Sequence, residues 1–502
     1  MGTRWCSVVE CSDVGAFRTV EGMTDIRPFW IAGRAETSSA SAEVVNPYDG
    51  SVVGAHHVPD AEQVERAVAA AWEVRQAFSA TTAALRAEAL LHVSTRLTER
   101  AEEIAELITA ENGKPIRWAR GEVLRAASVF RIAAEEARRF SGEVHRLDTD
   151  PSGTGRAGIV RRFPIGPVLG IAPFNFPLIL VAHKVAPALA VGTPIIVKPA
   201  PSTPLSALVL GEILAETDLP VGSWSVLPVS NDVAPALVAD ERLPVVSFTG
   251  SEKVGFAIQA AVPRKHVTLE LGGNAAAIVC PDWCSDADIA WAAGRIATFA
   301  TYQGGQSCIS VQRVLVDWTL WDRLVPAVVA EVSALATGSP WDEATVVGPL
   351  VDEAAAVRVE SWVDEAVAAG ATVLAGGTRD GATYPPTVLV GAPSDVKVVC
   401  EEVFGPVLVL EPVDGVSAAF DTVNASRFGL QTGVFTHDLQ VAFRAHAELE
   451  VGGVVVGDVP SFRADQMPYG GVKASGVGRE GVRSAMDDFT YERVLVLTGI
   501  TL

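Results

Sequence analysis

Cysteine is scarce in this 502-residue chain: six occur, Cys6, Cys11, Cys280, Cys284, Cys308 and Cys400, and none belongs to a matched Cys or His set at zinc-ligand spacing. A disulfide scaffold needs denser cysteine in a shorter chain, and a structural zinc site needs four ligands in register, so neither is expected. Positive charge is short as well. Lys and Arg total 39 against 60 Asp and Glu, a formal net charge of −21, and such a surface repels nucleic acid phosphate and anionic lipid. An apolar run able to cross a bilayer is also missing. The most hydrophobic stretch, 166–197, is broken by Pro167, Pro173, Pro177, Pro187 and Pro194 and carries His183 and Lys184 near its middle. A spanning helix needs about 20 apolar residues with every backbone group satisfied internally. Residues 1–25 lack the continuous apolar core of a secretion signal and read as a variable extension, so the expected location is the cytoplasm.

What is present is an ordinary globular composition, 49% hydrophobic and 20% charged, in a chain long enough for about two to four domains. The stretch 166–197 parses as a buried strand over 168–172, a loop over 173–177, a helix over 178–190 and a second strand over 194–197, which is a βαβ unit. The alternation continues: helix 206–216, strand 224–228, helix 233–239, strand 245–248, a tight turn at 249–251 opening a helix, and strand 267–271. From Pro164 to Leu271 the pattern predicts a doubly wound parallel sheet. Upstream, 61–78, 84–108 and 121–140 are long amphipathic helical patterns. A second α/β block spans about 280–465, and neither a tandem repeat nor a low-complexity linker interrupts the chain.

The run Gly476-Val-Gly478-Arg-Glu-Gly481 matches the dinucleotide fingerprint letter for letter. That fingerprint works only between a strand and a helix at the start of a βαβ unit. Too little chain follows Gly481 for such a unit, so the run is read as a packed turn leading into a final helix. Four other segments carry chemistry. Gly304-Gly305-Gln306-Ser307-Cys308 sets a glycine-flanked cysteine in a loop after a helix, although a lone cysteine is usually a small buried hydrophobe. In 268–274, Glu270 sits in an apolar strand ending at Gly272 and Gly273, where burial would raise its pKa toward that of a general base; a satisfied strand-end Glu is the plainer alternative. Ala172-Pro173-Phe174-Asn175-Phe176-Pro177 puts an amide beyond the carboxyl end of a strand, where open α/β sheets bind ligands and an amide can donate to an oxyanion. Glu401-Glu402-Val403-Phe404-Gly405-Pro406 holds a carboxylate and a ring on a Gly-Pro turn.

Together these segments resemble the NAD(P)-dependent aldehyde dehydrogenase superfamily, from about Pro28 to the C-terminus. Asn46-Pro-Tyr-Asp-Gly50, Ile196-Val-Lys-Pro-Ala200, Phe248-Thr-Gly-Ser251 and the run from Pro468 to Gly476 carry the same likeness. The resemblance implies an α/β aldehyde dehydrogenase-like fold: a Rossmann-like NAD(P)-binding domain from 26–143 and 161–271, a catalytic domain over 272–480, and oligomerisation segments at 144–160 and 481–502. It implies that Cys308 attacks the aldehyde, that Asn175 and the Cys308 N–H hold the oxyanion, and that Glu270 activates the water that releases a carboxylate. For the cofactor it implies Ala172, Pro173, Phe174, Lys198, Ser202, Gly250, Ser251, Gly272, Glu402 and Phe404. Lys198 would hold the adenine ribose, Ser251 the pyrophosphate at a helix N-terminus, and Glu402 the nicotinamide ribose. Where the NAD-preferring pattern has a Glu, this chain has Pro201. NAD or NADP is therefore admitted, with a lean to NAD, and no metal is expected.

The similarity is strongest to bacterial dehydrogenases of short aldehydes, some relatives of which act on phosphonoaldehydes. It points to Arg120, Ser307, Phe462 and Arg463 at the substrate mouth. Arg120 and Arg463 would clamp an anionic group, or else form ion pairs with neighbours such as Glu122 and Asp465. Ser307 stands where phosphonoacetaldehyde enzymes carry a basic residue, which leaves a smaller phosphonoaldehyde such as phosphonoformaldehyde, a sulfoaldehyde or a semialdehyde as substrate. The apolar end at Val494-Leu-Val-Leu497 should pair with another copy, giving a homodimer or homotetramer. A CoA-acylating semialdehyde dehydrogenase, a cofactor-free thiol esterase and a noncatalytic scaffold are the competing readings.

Overall fold

The computed structural model describes residues 26–500, so the expected N-terminal extension, with Cys6 and Cys11, lies outside the described residues. Five short apolar segments form the parallel centre of an eight-stranded sheet, in the spatial order His266–Glu270, Val245–Thr249, Val168–Ile171, Ile195–Lys198, Trp224–Val226. The first strand in sequence lies in the middle and the chain winds outward both ways. That strand, Val168–Ile171, and its neighbour Val245–Thr249 therefore send their following loops to opposite faces, which opens a crevice at their carboxyl ends. The helix Ile179–Val191 is buried along its whole length, which explains why 166–197 reads as almost continuously apolar.

Two expected helices and one expected boundary differ from what is observed. The pattern over 84–108 is two helices, Ala83–Glu99 and Ala101–Asn112, which meet at Arg100. Arg100 leaves helical geometry, and its guanidinium is held by Glu103 at 2.7 Å and Glu212 at 3.1 Å. The second of these helices ends at Gly113, where φ is +72° and a Cβ would lie 2.6 Å from Pro349. The helix expected from 121 begins five residues earlier, at Ile116, directly after Pro115. Gly476–Val477 pairs antiparallel with His266–Glu270 and so belongs to the first sheet, while Val482, Ala485 and Met486 of the following helix pack into the first core. That segment is neither a Rossmann start nor purely a bridging element.

The second sheet has seven strands, ordered Thr372–Ala375, Thr387–Val390, Val407–Val413, Arg313–Asp317, Ala276–Val279, Gln431–Phe435, Gly453–Val456, and all but the first are parallel. The loop entering Arg313–Asp317 carries Cys308, and the loop entering Val407–Val413 carries Glu402 and Phe404. A separate antiparallel sheet joins Thr490–Thr498, Arg156–Pro164 and Glu143–Arg146. Its apolar residues Val144, Val494, Leu495 and Val496 are exposed. Among the described residues no helix is long and apolar enough to cross a membrane.

Candidate active site

The strand ends of the first sheet and the two loops of the second meet around one cavity of about 340 Å³. Its wall includes Phe174, Asn175, Gly250, Ser251, Glu270, Gly272, Ser307, Cys308, Glu402, Phe404 and Arg463. Segments separated by up to three hundred residues in the chain thus converge on one space.

Cys308 reaches the cavity because the chain reverses just before it. Gln303, Gly304 and Gly305 all take left-handed backbone conformations, and a Cβ at Gly305 would lie 2.0 Å from the Gly405 carbonyl oxygen. Only glycine fits there. The Cys308 Sγ lies 2.9 Å from the Tyr469 hydroxyl. Burial pushes the thiol up to about 12, against the Tyr469 hydrogen bond, which lowers it; Glu402 and Glu270 push it further up. The Asn175 side chain donates one N–H to the carbonyl of Gln306 at 2.8 Å. This ties the amide to the loop two residues before Cys308 and leaves its second N–H for a ligand.

Glu270 is not the satisfied strand-end carboxylate of the plainer alternative. It is 3% exposed, and neither side-chain oxygen finds a hydrogen-bond partner among the described residues. Burial first, and then the nearby Glu480, hold its carboxyl well above the usual carboxylate range, while Arg463, Lys184 and Arg479 oppose them. Glu480 is also buried but has cations on two sides, Lys184 at 3.0 Å and Arg463 at 3.3 Å. Against the cost of burial these cations keep it ionised, below the ordinary carboxylate range. The two carboxyls therefore divide between a protonatable group and a fixed charge.

Of the residues expected at a cofactor, Pro173, Phe174, Gly250, Ser251, Gly272, Glu402 and Phe404 line the cavity. Glu402 accepts the Gly273 N–H at 2.9 Å, and burial pushes its carboxyl up to about 7. A Cβ at Gly272 would lie 2.3 Å from Glu402, so glycine keeps that side open. The Phe404 ring meets Phe174 edge-on at 5.9 Å. Ser251 occupies the N-cap of the helix Glu252–Ala261, and its side chain makes no capping bond. The free N–H groups of such a terminus favour an anion. Ala172, Lys198 and Ser202 are not among the cavity-lining residues. Lys198 ends the adjacent strand, donates to Asn231 at 2.9 Å, and is pushed down to about 8 by burial, while Pro201 and Ser202 are exposed on the turn beyond it.

The substrate-side expectations divide. Arg463 lines the cavity, its guanidinium 3.8 Å from the centre of the Tyr469 ring, and Ser307 lines it too. Arg120 does not: it is on the outer surface, paired with Glu102 at 2.7 Å and Glu343 at 2.8 Å. Phe462 is 50% exposed, and its neighbours Ser461 and Arg463 face the cavity instead. The ion-pair partners also differ from expectation, since Glu122 is joined to Lys114 and Asp465 to Arg125. Arg125 and His183, both overlooked in the sequence, line the cavity. Five positions along a helix turn a side chain by about 140°, so the phase that sends Arg120 outward brings Arg125 inward. His183 is buried with no partner on either ring nitrogen among the described residues. Burial and then Arg463 hold it well below the usual histidine range.

Residues 34–495 match the model of the aldehyde dehydrogenase family. The chain is 40% identical to a 3-sulfolactaldehyde dehydrogenase from Priestia aryabhattai, over 95% of this chain and 99% of that one. Among solved structures it is similar to aldehyde dehydrogenase 21 from Physcomitrella patens in complex with the reaction product succinate, with a TM-score of 0.93, 43% identity, and coverage of 95% of this chain and 99% of that chain. It is also similar to the NADP-dependent glyceraldehyde-3-phosphate dehydrogenase from Bacillus halodurans complexed with NADP, with a TM-score of 0.90, 33% identity, and coverage of 94% and 99%. With a cysteine, a buried carboxyl and an amide set around one crevice at the sheet's switch point, and with matches spanning nearly the whole described structure, the chain belongs to the aldehyde dehydrogenase family and is an aldehyde-oxidising enzyme.

Proposed function

We propose that the enzyme oxidises a short aldehyde carrying an anionic group, a sulfonate, phosphonate or carboxylate, to the corresponding acid. The observation that carries this reading is the convergence of Arg125, Arg463 and the unpartnered His183 on the cavity that holds Cys308 and Glu270. The two guanidiniums, each also paired with a carboxylate, and the uncharged imidazole offer convergent N–H donors to a small anion, and on a chain of net charge −21 such local donors are what would hold it against the overall repulsion. One similar protein is named for a sulfolactaldehyde and another was solved with its reaction product succinate, both anions of this kind.

The chemistry follows from the side chains. Cys308 loses its proton and attacks the aldehyde carbon; the second N–H of Asn175 and the Cys308 N–H are assigned to the resulting oxyanion. A bound NAD or NADP supplies the hydride acceptor. Cys308 retains the acyl group as a thioester, and Glu270, kept protonatable by burial and by Glu480, takes a proton from the attacking water so that the carboxylate is released. The cradle fits a dinucleotide: Glu402 and the open side at Gly272 for the nicotinamide ribose, the uncapped N-terminus at Ser251 for the pyrophosphate, and Lys198 for the adenine ribose. Because Pro201 and Ser202 put no carboxylate beside Lys198, a 2′-phosphate is tolerated and both cofactors are used, NAD somewhat better. Two copies join through the exposed edge at Thr490–Thr498, where Val494, Leu495 and Val496 lie open.

The test is a panel of short aldehydes, with and without an anionic group, assayed with NAD and with NADP. A marked kcat/KM advantage for the anionic members supports the reading, and equal turnover of neutral and anionic aldehydes overturns it.

A further inference from the structure

We propose that Tyr469 is a catalytic residue of this enzyme: its hydroxyl donates a hydrogen bond that stabilises the Cys308 thiolate, and Arg463, stacked on its ring, strengthens that donor. Cys308 otherwise stands in surroundings that disfavour a negative sulfur. It is held among apolar walls, and the charged groups facing it are the carboxyls of Glu270 and Glu402 and the guanidinium of Arg463. The Asn175 amide donates to the Gln306 carbonyl, and among the described residues no hydrogen bond joins it to the sulfur. Tyr469 is the group in hydrogen-bond contact with Sγ, at 2.9 Å.

The phenol is itself buried, 3% exposed, and faces Cys308, Arg463 and Glu270. Burial holds its own ionisation well above the ordinary tyrosine range. When Cys308 gives its proton to Glu270 or to water, the phenol therefore keeps its own and turns it to the sulfur, and no net proton is gained or lost at Tyr469. A guanidinium at 3.8 Å over the ring withdraws electron density from the phenol and makes its O–H a better donor. Arg463 is kept in that position by Glu480, the same fixed charge that tunes Glu270. One buried triad, Glu480, Arg463 and Tyr469, thus acts on both the nucleophile and the base.

The test reads the free enzyme and does not depend on which aldehyde is the substrate. The full-length protein is alkylated with iodoacetamide across a pH series, with the label quantified at Cys308 by mass spectrometry. In Tyr469→Phe, which keeps the ring under Arg463, the alkylation midpoint should rise by about one unit, equivalent to a roughly tenfold slower rate at pH values below both midpoints. The plateau rate at high pH should be unchanged, which separates donor loss from altered access. Monofluorotyrosine placed at position 469 keeps the size and is a stronger donor, and it should move the midpoint down. Coincident midpoints for wild type and Tyr469→Phe, or an unshifted midpoint with fluorotyrosine should the Phe variant fail to fold, would overturn the proposal.

Discussion

Arg120 and Arg125 share the helix Ile116–Arg139 and meet opposite surroundings. On the outer face Arg120 is bonded to Glu102 and Glu343, carboxylates that are more than half exposed. On the inner face Arg125 touches Asp465 at 2.9 Å and opens onto the cavity beside His183 and Arg463. The bond lengths are nearly the same. The two arginine side chains are also about equally exposed, 36% and 38%, so the difference lies in their partners and in what they face: Arg120 pairs with carboxylates open to solvent, where a pair contributes about 0–1 kcal/mol because water and salt screen it, whereas Arg125 pairs with Asp465, 9% exposed, and lines the cavity where a ligand can meet it. The contrast teaches that a salt-bridge inventory says little about function until each pair is placed relative to the cavity.

The sharpest way to break this comparison begins at the cavity's centre. Cys308→Ser should lower aldehyde oxidation by a thousandfold or more, roughly the loss seen when a covalent nucleophile is removed, with an unchanged thermal unfolding midpoint. Glu270→Gln should lower turnover by about 10²- to 10⁴-fold and leave an acylated Cys308 detectable by intact mass, because deprotonation of the attacking water is the step it loses. Arg125→Ala should raise KM for anionic aldehydes by roughly 10- to 100-fold, as expected for loss of a charged donor, and leave neutral aldehydes unaffected; equal losses on both would remove Arg125 from recognition.

Two further variants sharpen it. The deacylation rate should rise with pH as Glu270 loses its proton, because the base is the ionised form and its folded pKa is raised. Replacing Glu480 with Gln removes a negative neighbour and frees Lys184 and Arg463 to favour ionised Glu270, so this limb should move to lower pH. The same change leaves two buried cations without their carboxylate and should cost about 3–5 kcal/mol of stability, read by denaturant unfolding. Last, Arg120→Ala should change kcat/KM by less than about twofold and stability by less than about 1 kcal/mol.

The motifs that require a particular residue type were legible in the chain. Glycine at 272, 273 and 305, the amide of Asn175 between two aromatics, Glu270 in an apolar strand and Glu402 before a Gly-Pro turn all show their chemistry locally. The parallel sheet was legible for a similar reason, since strands buried on both faces read as short continuous apolar runs. The break at Arg100 was not, because helical spacing continues across it, and one of the two carboxylates that hold Arg100, Glu212, lies more than a hundred residues away. Arg125 and Arg120 are not distinguishable in the sequence, because both sit in one charged, amphipathic pattern and helix phase alone separates them. In the sequence Tyr469 is one letter of a glycine-rich run, Pro468-Tyr469-Gly470-Gly471. Its hydroxyl acquires a role through a contact 161 positions distant.

The sequence by itself determined most of the elements, the doubly wound class of the first sheet, and which residues have the chemistry to attack, donate and deprotonate, because these follow from side-chain type and short-range periodicity. Tertiary structure alone decided which of those groups share a cavity and in what protonation state. Burial and neighbouring charge send Glu270 and Glu480, two carboxyls of the same chemistry, in opposite directions, and both causes come into being only when distant segments pack together.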